Sequence, residues 1–110
     1  MYAIQESAKK INGVELQTFW RTIKNAKTDI EIEAGTTGFK GGCCRDKGAR
    51  AFLSLDCNQG DFFFEPQKDE DGRVVGITIA CCGDDALASL IDALGFSIKA
   101  LIDQCDEADE

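Results

Sequence analysis

Residues 35–50 read GTTGFKGGCCRDKGAR and hold five glycines together with Lys40, Arg45, Lys47 and Arg50. Four cations against one acid, Asp46, give this segment +3 in a 110-residue chain whose formal net charge is −8. Glycine lets a backbone N–H turn toward a bound group without Cβ obstruction, Arg grips phosphate or carboxylate through a planar fork, and Lys acts as a point charge. The chemistry this set suits is capture of an anion, above all a phosphorylated small molecule. Thr36, Thr37, Lys40, Gly41, Gly42, Arg45, Lys47 and Arg50 are the expected ligand-binding residues, the threonines through hydroxyls and the glycines through amides. The segment matches neither G-x-x-x-x-G-K-[ST] nor a G-x-G-x-x-G between strand and helix, so no known phosphate-loop motif is met. The plain alternative is a loop whose cations pair with the chain's own carboxylates.

Catalysis is harder to assemble. The chain has no histidine, which removes Ser-His and Cys-His nucleophile pairs. A nucleophilic Cys43 or Cys44 would need Arg45 or loop amides to form its thiolate, and Asp84 with Asp85 is better explained as a helix start. No acid, base and oxyanion set can be named, so the expectation is a non-enzymatic protein without a cofactor. The doubled cysteines Cys43-Cys44 and Cys81-Cys82 lack the C-x-x-C spacing of zinc sites, and no metal is expected. Cys57, Cys81 and Cys105 fall in register with apolar neighbours and read as small buried side chains. No positively charged start leads into an apolar stretch, so reduced thiols in a cytoplasmic protein are expected. The acidic balance, with Asp103, Asp106, Glu107, Asp109 and Glu110 near the end, disfavours direct binding to nucleic acid or membrane. It also allows the chain to mimic nucleic-acid charge in a partner's basic groove.

The loop must be held by a scaffold. Leu16, Phe19, Trp20 and Ile23 recur at i, i+3, i+4, i+7, which predicts a helix over about residues 14–26, capped by Asn12 with Glu15 three residues on. In TDIEIEA, Ile30, Ile32 and Ala34 alternate with acids as a half-buried strand does. ARAFLSLDC sets Ala51, Leu53, Leu55 and Cys57 on one side, and in DFFFEP Phe62 and Phe64 share a face while Phe63 points away. Pro66 marks an edge or an end. RVVGITIACC is a fourth strand with Val75, Ile77, Ile79 and Cys81 inward. A second helix begins at Asp84 or Asp85 with an apolar stripe of Leu87, Leu90, Ile91, Leu94, Ile98, Leu101, Ile102 and Cys105, interrupted by Gly95. The expected fold is α+β: a four-stranded antiparallel sheet with two helices (α-β-β-β-β-α) on one face, burying both stripes. Residues 1–110 read as a single domain with a frayed acidic tail from about 106. The other sheet face, with Glu31, Glu33, Phe52, Ser54, Asp56, Phe63, Val74 and Thr78, is expected to meet solvent or a second copy, which makes a homo-oligomer the expected state.

The run GTTGFKGG, Phe19 with Trp20, and Arg50 with Phe52 in an acidic stand-alone chain resemble small proteins of bacteriophages and integrative elements, over about residues 14–105. Cys43 and Cys44 depart from that pattern, where polar residues are expected. The resemblance implies a mobile-element inhibitor of host defence. Such a protein either sequesters a phosphorylated signal or blocks a host defence protein such as a nuclease complex, in the manner of an anti-CRISPR.

Overall fold

A computed structural model of the chain describes residues 3–39 and 48–108. Among them are six strands, β1 (Gln5–Ile11), β2 (Val14–Asn25), β3 (Thr28–Thr36), β4 (Ala51–Gln59), β5 (Phe62–Lys68) and β6 (Val74–Cys81), and one helix, α1 (Asp84–Ala108). The first four strands form an antiparallel meander, while β5 and β6 pair only with each other. Six strands in two sheets with one helix replace the expected two helices on one four-stranded sheet.

The correction begins at residues 14–26. Leu16, Phe19, Trp20 and Ile23 have helical spacing, but Val14, Thr18, Phe19, Trp20, Thr22 and Ile23 are β-branched or aromatic residues that fit a pleated surface better. The deciding signal is Asn12-Gly13. Both residues have positive φ, 49° and 80°, the requirement of the two-residue turn that matches strand twist. Asn12 therefore turns a hairpin, with Ile11 opposite Val14 and Gln5 opposite Trp20, and Glu15 belongs to a strand instead of a capping box. The Gln5–Ile11 segment, which shows no period of its own, becomes β1 by pairing with β2.

The four-stranded sheet is curled. β1 and β4 lie at opposite edges, about 14 Å apart in a flat sheet, yet the Lys9 ammonium sits 5.6 Å from the Phe52 ring centroid and 3.6 Å from a Glu33 carboxylate oxygen. Leu16 and Thr18 are enclosed in the resulting concavity, at 3% and 0% exposure. Gly35 makes the curl feasible: a Cβ there would lie 2.4 Å from the Gln17 carbonyl oxygen and 2.8 Å from Thr18 Cα.

Helix α1 lies on the convex face, over a core of Ile23, Ile30, Ile32 and Ala93, with Leu55, Cys57, Phe62 and Phe96 packed around it. The helix turns its small residues inward. Ala86, Ser89, Ala93, Ser97, Ala100 and Gln104 are buried, whereas Leu87, Ile91, Leu94, Ile98 and Ile102 keep 51–59% exposure. The long aliphatic stripe expected to fill the core faces out instead. Buried hydroxyls are satisfied locally, Ser97 Oγ donating to the Ala93 carbonyl and Ser89 Oγ to the Asp85 carbonyl. Asn25 Nδ2 also donates to Ser89 Oγ.

The start of α1 is fastened to the β2–β3 turn by Thr28 Oγ1, which donates to Asp85 Oδ2 at 2.9 Å. That hydrogen bond, with backbone donors at the helix start, holds the Asp85 carboxyl below its ordinary value of 3.8 against the opposing effect of desolvation. A carboxyl whose folded-state pKa is depressed stabilises the fold above its ordinary pKa, and that contribution is lost as pH falls through the folded value. The gap in melting temperature between the native chain and Asp85→Asn is thus expected to close as pH is lowered below 3.8. Melting curves across acid pH measure it, and a gap independent of pH would show that the carboxylate charge plays no part.

Candidate functional site

The fourteen residues 37–50 connect β3 to β4. Lys40, Gly41, Gly42, Arg45 and Lys47, with Cys43 and Cys44, lie outside the described residues. Of the expected binding residues, Thr36, Thr37 and Arg50 are described, and the structure brings these three together at the loop base. Thr36 Oγ1 donates to the Arg50 carbonyl at 2.7 Å and accepts from the Gly38 amide. The Arg50 amide donates to Thr37 Oγ1 at 3.0 Å, and the Thr37 amide returns a bond to the Arg50 carbonyl. Both hydroxyls are thereby engaged in closing the loop, a role different from the ligand donation expected of them. The Arg50 guanidinium folds back, its Nη1 donating to the Gly48 carbonyl at 2.7 Å.

Beneath the clamp sits a residue that sequence reasoning missed. The Gln104 side chain accepts from the Thr36 amide at 3.0 Å through Oε1 and donates to the Gln17 carbonyl at 2.9 Å through Nε2. Gln17 and Thr36 flank the last ladder pair, Thr18 with Gly35, so the Gln104 amide continues the ladder where β2 and β3 part. The available signal was a glutamine in register with Ala93, Ser97 and Ala100 on the small-residue face of α1. Beside the clamp is an open depression of about 450 Å³. Its described charged residues are Glu15 and Glu107, a lining that repels an anion.

The outer sheet face carries the expected acids in ladder rows, Glu31 opposite Asp56 and Glu33 opposite Ser54. They are partly spoken for: Glu33 binds Lys9 and Thr18, and Glu31 accepts from Asn58. Phe52 lies under Lys9, while Phe63 is in the other sheet and 60% exposed, so the two do not form one patch. Between α1 and the β2 side is a groove of about 250 Å³ lined by Ile4, Phe19, Phe96, Lys99 and Asp103. Among the described residues no three cysteine or acidic side chains come together as a metal site. Cys57, Cys81, Cys82 and Cys105 are free thiols. No helix among them is long and apolar enough to cross a membrane.

A further feature is apolar. On the β5–β6 hairpin, Phe62 pairs with Cys81, Phe64 with Ile79 and Pro66 with Ile77, and residues opposite each other in a ladder share a face. That face is continuous hydrocarbon, with Phe62 and Phe64 stacked at 6.3 Å. The opposite face mixes Phe63 with Glu65, Gln67 and Thr78. Ile77 is 63% exposed and Phe64 38%, and the outward stripe of α1 adds five more aliphatic side chains. Isolated exposed apolar residues are ordinary, whereas these lie side by side on two elements. Comparison with family models, with curated proteins and with solved structures finds no match for this chain.

Proposed function

We propose that this chain is a non-enzymatic binding protein that acts as a homo-oligomer. The observation that carries the reading is the pair of open apolar faces on α1 and the β5–β6 hairpin. The ligand class we propose is a phosphorylated small molecule held by the loop, as in sequestration of a signalling nucleotide in a host cytoplasm. Its support is the +3 charge of residues 35–50 in an acidic chain and the clamp of Thr36, Thr37 and Arg50, which brings the loop ends together. Free thiols at four described cysteines suit a reducing compartment. The charge-mimic reading, a block on a host defence protein, is less supported because Glu31 and Glu33 are already engaged within the molecule.

Native mass spectrometry of the purified protein tests both parts. Assemblies are expected at multiples of the 11.9 kDa chain, with a small phosphorylated species released on denaturation. A monomer at micromolar concentration would remove the oligomer, and assemblies without releasable ligand, even after incubation with nucleotides, would remove the ligand class.

A further inference from the structure

We propose that two copies of this chain pair about a two-fold axis, each laying the apolar face of its β5–β6 hairpin on the outer face of the other's α1. The inference rests on the reading of the chain as a homo-oligomer and specifies its interface.

The topology explains why one chain cannot cover both faces. Phe62, at the root of the hairpin, packs into the core beneath α1, so the hydrocarbon face of the hairpin and the helix lie on the same side of the molecule. Helix α1 starts at Thr28, where Asp85 is bound, and ends beside Thr36, where Gln104 is bound, so it runs back along β3. The hairpin is closed at its root by the Asp61 carbonyl, which accepts from the Cys82 amide, and beyond Phe62 none of its face residues packs on the core beneath α1. Phe64, Pro66, Ile77 and Ile79 therefore lie beyond the reach of their own helix.

The helix has the complementary need. Leu87, Ile91, Leu94, Ile98, Leu101 and Cys105 are spaced 4-3-4-3-4, the spacing of a seam that packs lengthwise against a second element. The inner face is already occupied by small residues against the sheet, so α1 has two packing faces and one chain fills only one of them. Each copy offers one hairpin and one helix seam. A two-fold operation satisfies both at once, because the same two patches meet twice.

Size agrees. A compact monomer of 11.9 kDa exposes roughly 5,950 Å², whereas this chain exposes 7569 Å². The open hairpin and helix faces contribute to that surplus, and a two-fold pairing covers each of them twice. The radius of gyration is 15.7 Å against about 13 Å for a compact domain of this length. The residues named on the two faces are apolar, while Asp84, Asp92, Asp103 and Asp106 on the exposed side of the same helix flank the seam, so pairing is expected to tighten as salt screens them.

The experiment is subunit mixing with Ile77→Asp on the hairpin face and Ile98→Lys on the helix seam. Each variant alone carries a lesion in both junctions of its dimer and is expected to weaken dimerisation by at least about a hundredfold, sedimenting as a monomer. Mixed one to one, the variants are expected to regain a dimer, since one junction then joins an unaltered hairpin to an unaltered helix. Recovery on mixing also shows that both variants are folded. Thr78→Lys, on the other face of β6, is expected to leave the dimer intact. Variants that remain dimeric alone, or a mixture that stays monomeric while the native chain is a dimer, would overturn this arrangement and leave the homo-oligomer standing. A monomeric native chain would overturn both.

Discussion

Gly35→Ala is expected to destabilise the protein by about 3 kcal/mol, the upper end for overpacking. The added Cβ would approach a backbone oxygen at 2.4 Å and a backbone Cα at 2.8 Å. Neither can swing away as a side-chain tip does, so β2 and β3 must separate where Gly35 lies against Gln17 and Thr18. Separation there would open the concavity around Leu16 and Thr18 and loosen the reach of Lys9 to Phe52. Urea unfolding at fixed chain concentration measures the loss, the concentration being held because association adds to apparent stability. Gly76→Ala is the control, since a Cβ at Gly76 meets Gln67 only at 3.6 Å. A loss below about 1 kcal/mol at Gly35, comparable to an ordinary strand substitution, would mean that the close approach of the two strands is wrong.

Gln104→Leu should cost a similar amount for a different reason. The side chain is 8% exposed and supplies one acceptor and one donor to backbone groups of two strands. A leucine of similar length leaves the Thr36 amide and Gln17 carbonyl unpaired, at about 1–3 kcal/mol for each buried group. Gln104→Glu distinguishes hydrogen bonding from packing. Its carboxylate still accepts from Thr36 but faces the Gln17 carbonyl without a proton to donate, so neutral pH is unfavourable. Protonation restores the donor, and the variant should regain stability as pH falls. Thermal unfolding of both variants from neutral to acid pH reads this out, and a Gln104→Glu variant as stable at neutral pH as the native chain would exclude the bridging role.

How much of this was legible in the residues depended on whether local pattern and tertiary demand agreed. In β3 they did, with Ile30, Ile32 and Ala34 alternating inward; in the β5–β6 hairpin the alternation put Phe62 and Phe64 on one face, but Val75, Ile77 and Ile79, expected inward, stay exposed because this hairpin pairs only with itself and not with the larger sheet. At β2 they did not, because four apolar residues happen to satisfy a helical period as well as a pleated one. The β-branched and aromatic residues lean toward the strand, and the Asn12-Gly13 turn, with both residues in the left-handed region, decides it. The direction of α1 was illegible for a physical reason. Large apolar side chains are ordinarily assigned to a core, but a helix lying close on a curled sheet has room for Ala86, Ser89, Ala93 and Ala100 beneath it. Its bulky residues are then left on the exposed side.

The candidate site was legible as composition and not as geometry. A surplus of cations in residues 35–50 is visible in the letters, but the use of Thr36, Thr37 and Arg50 as a clamp depends on β3 and β4 being neighbours. Gln104 is 68 positions from its partner Thr36, and no local pattern announces such a contact. The acids at Glu31 and Glu33 looked free because their partners, Asn58 and Lys9, come from other strands.

The β5–β6 hairpin has two outer edges, and they are guarded unequally. Pro66 removes a backbone donor from β5, which discourages a foreign strand from adding there. β6, reading VVGITIAC, has no proline and no charge, and a strand of that kind with an open edge is a template for fibril-like stacking. This one segment therefore opens a competing, irreversible fate to the chain, and a lysine placed on the edge strand β6 should raise the yield of dispersed protein.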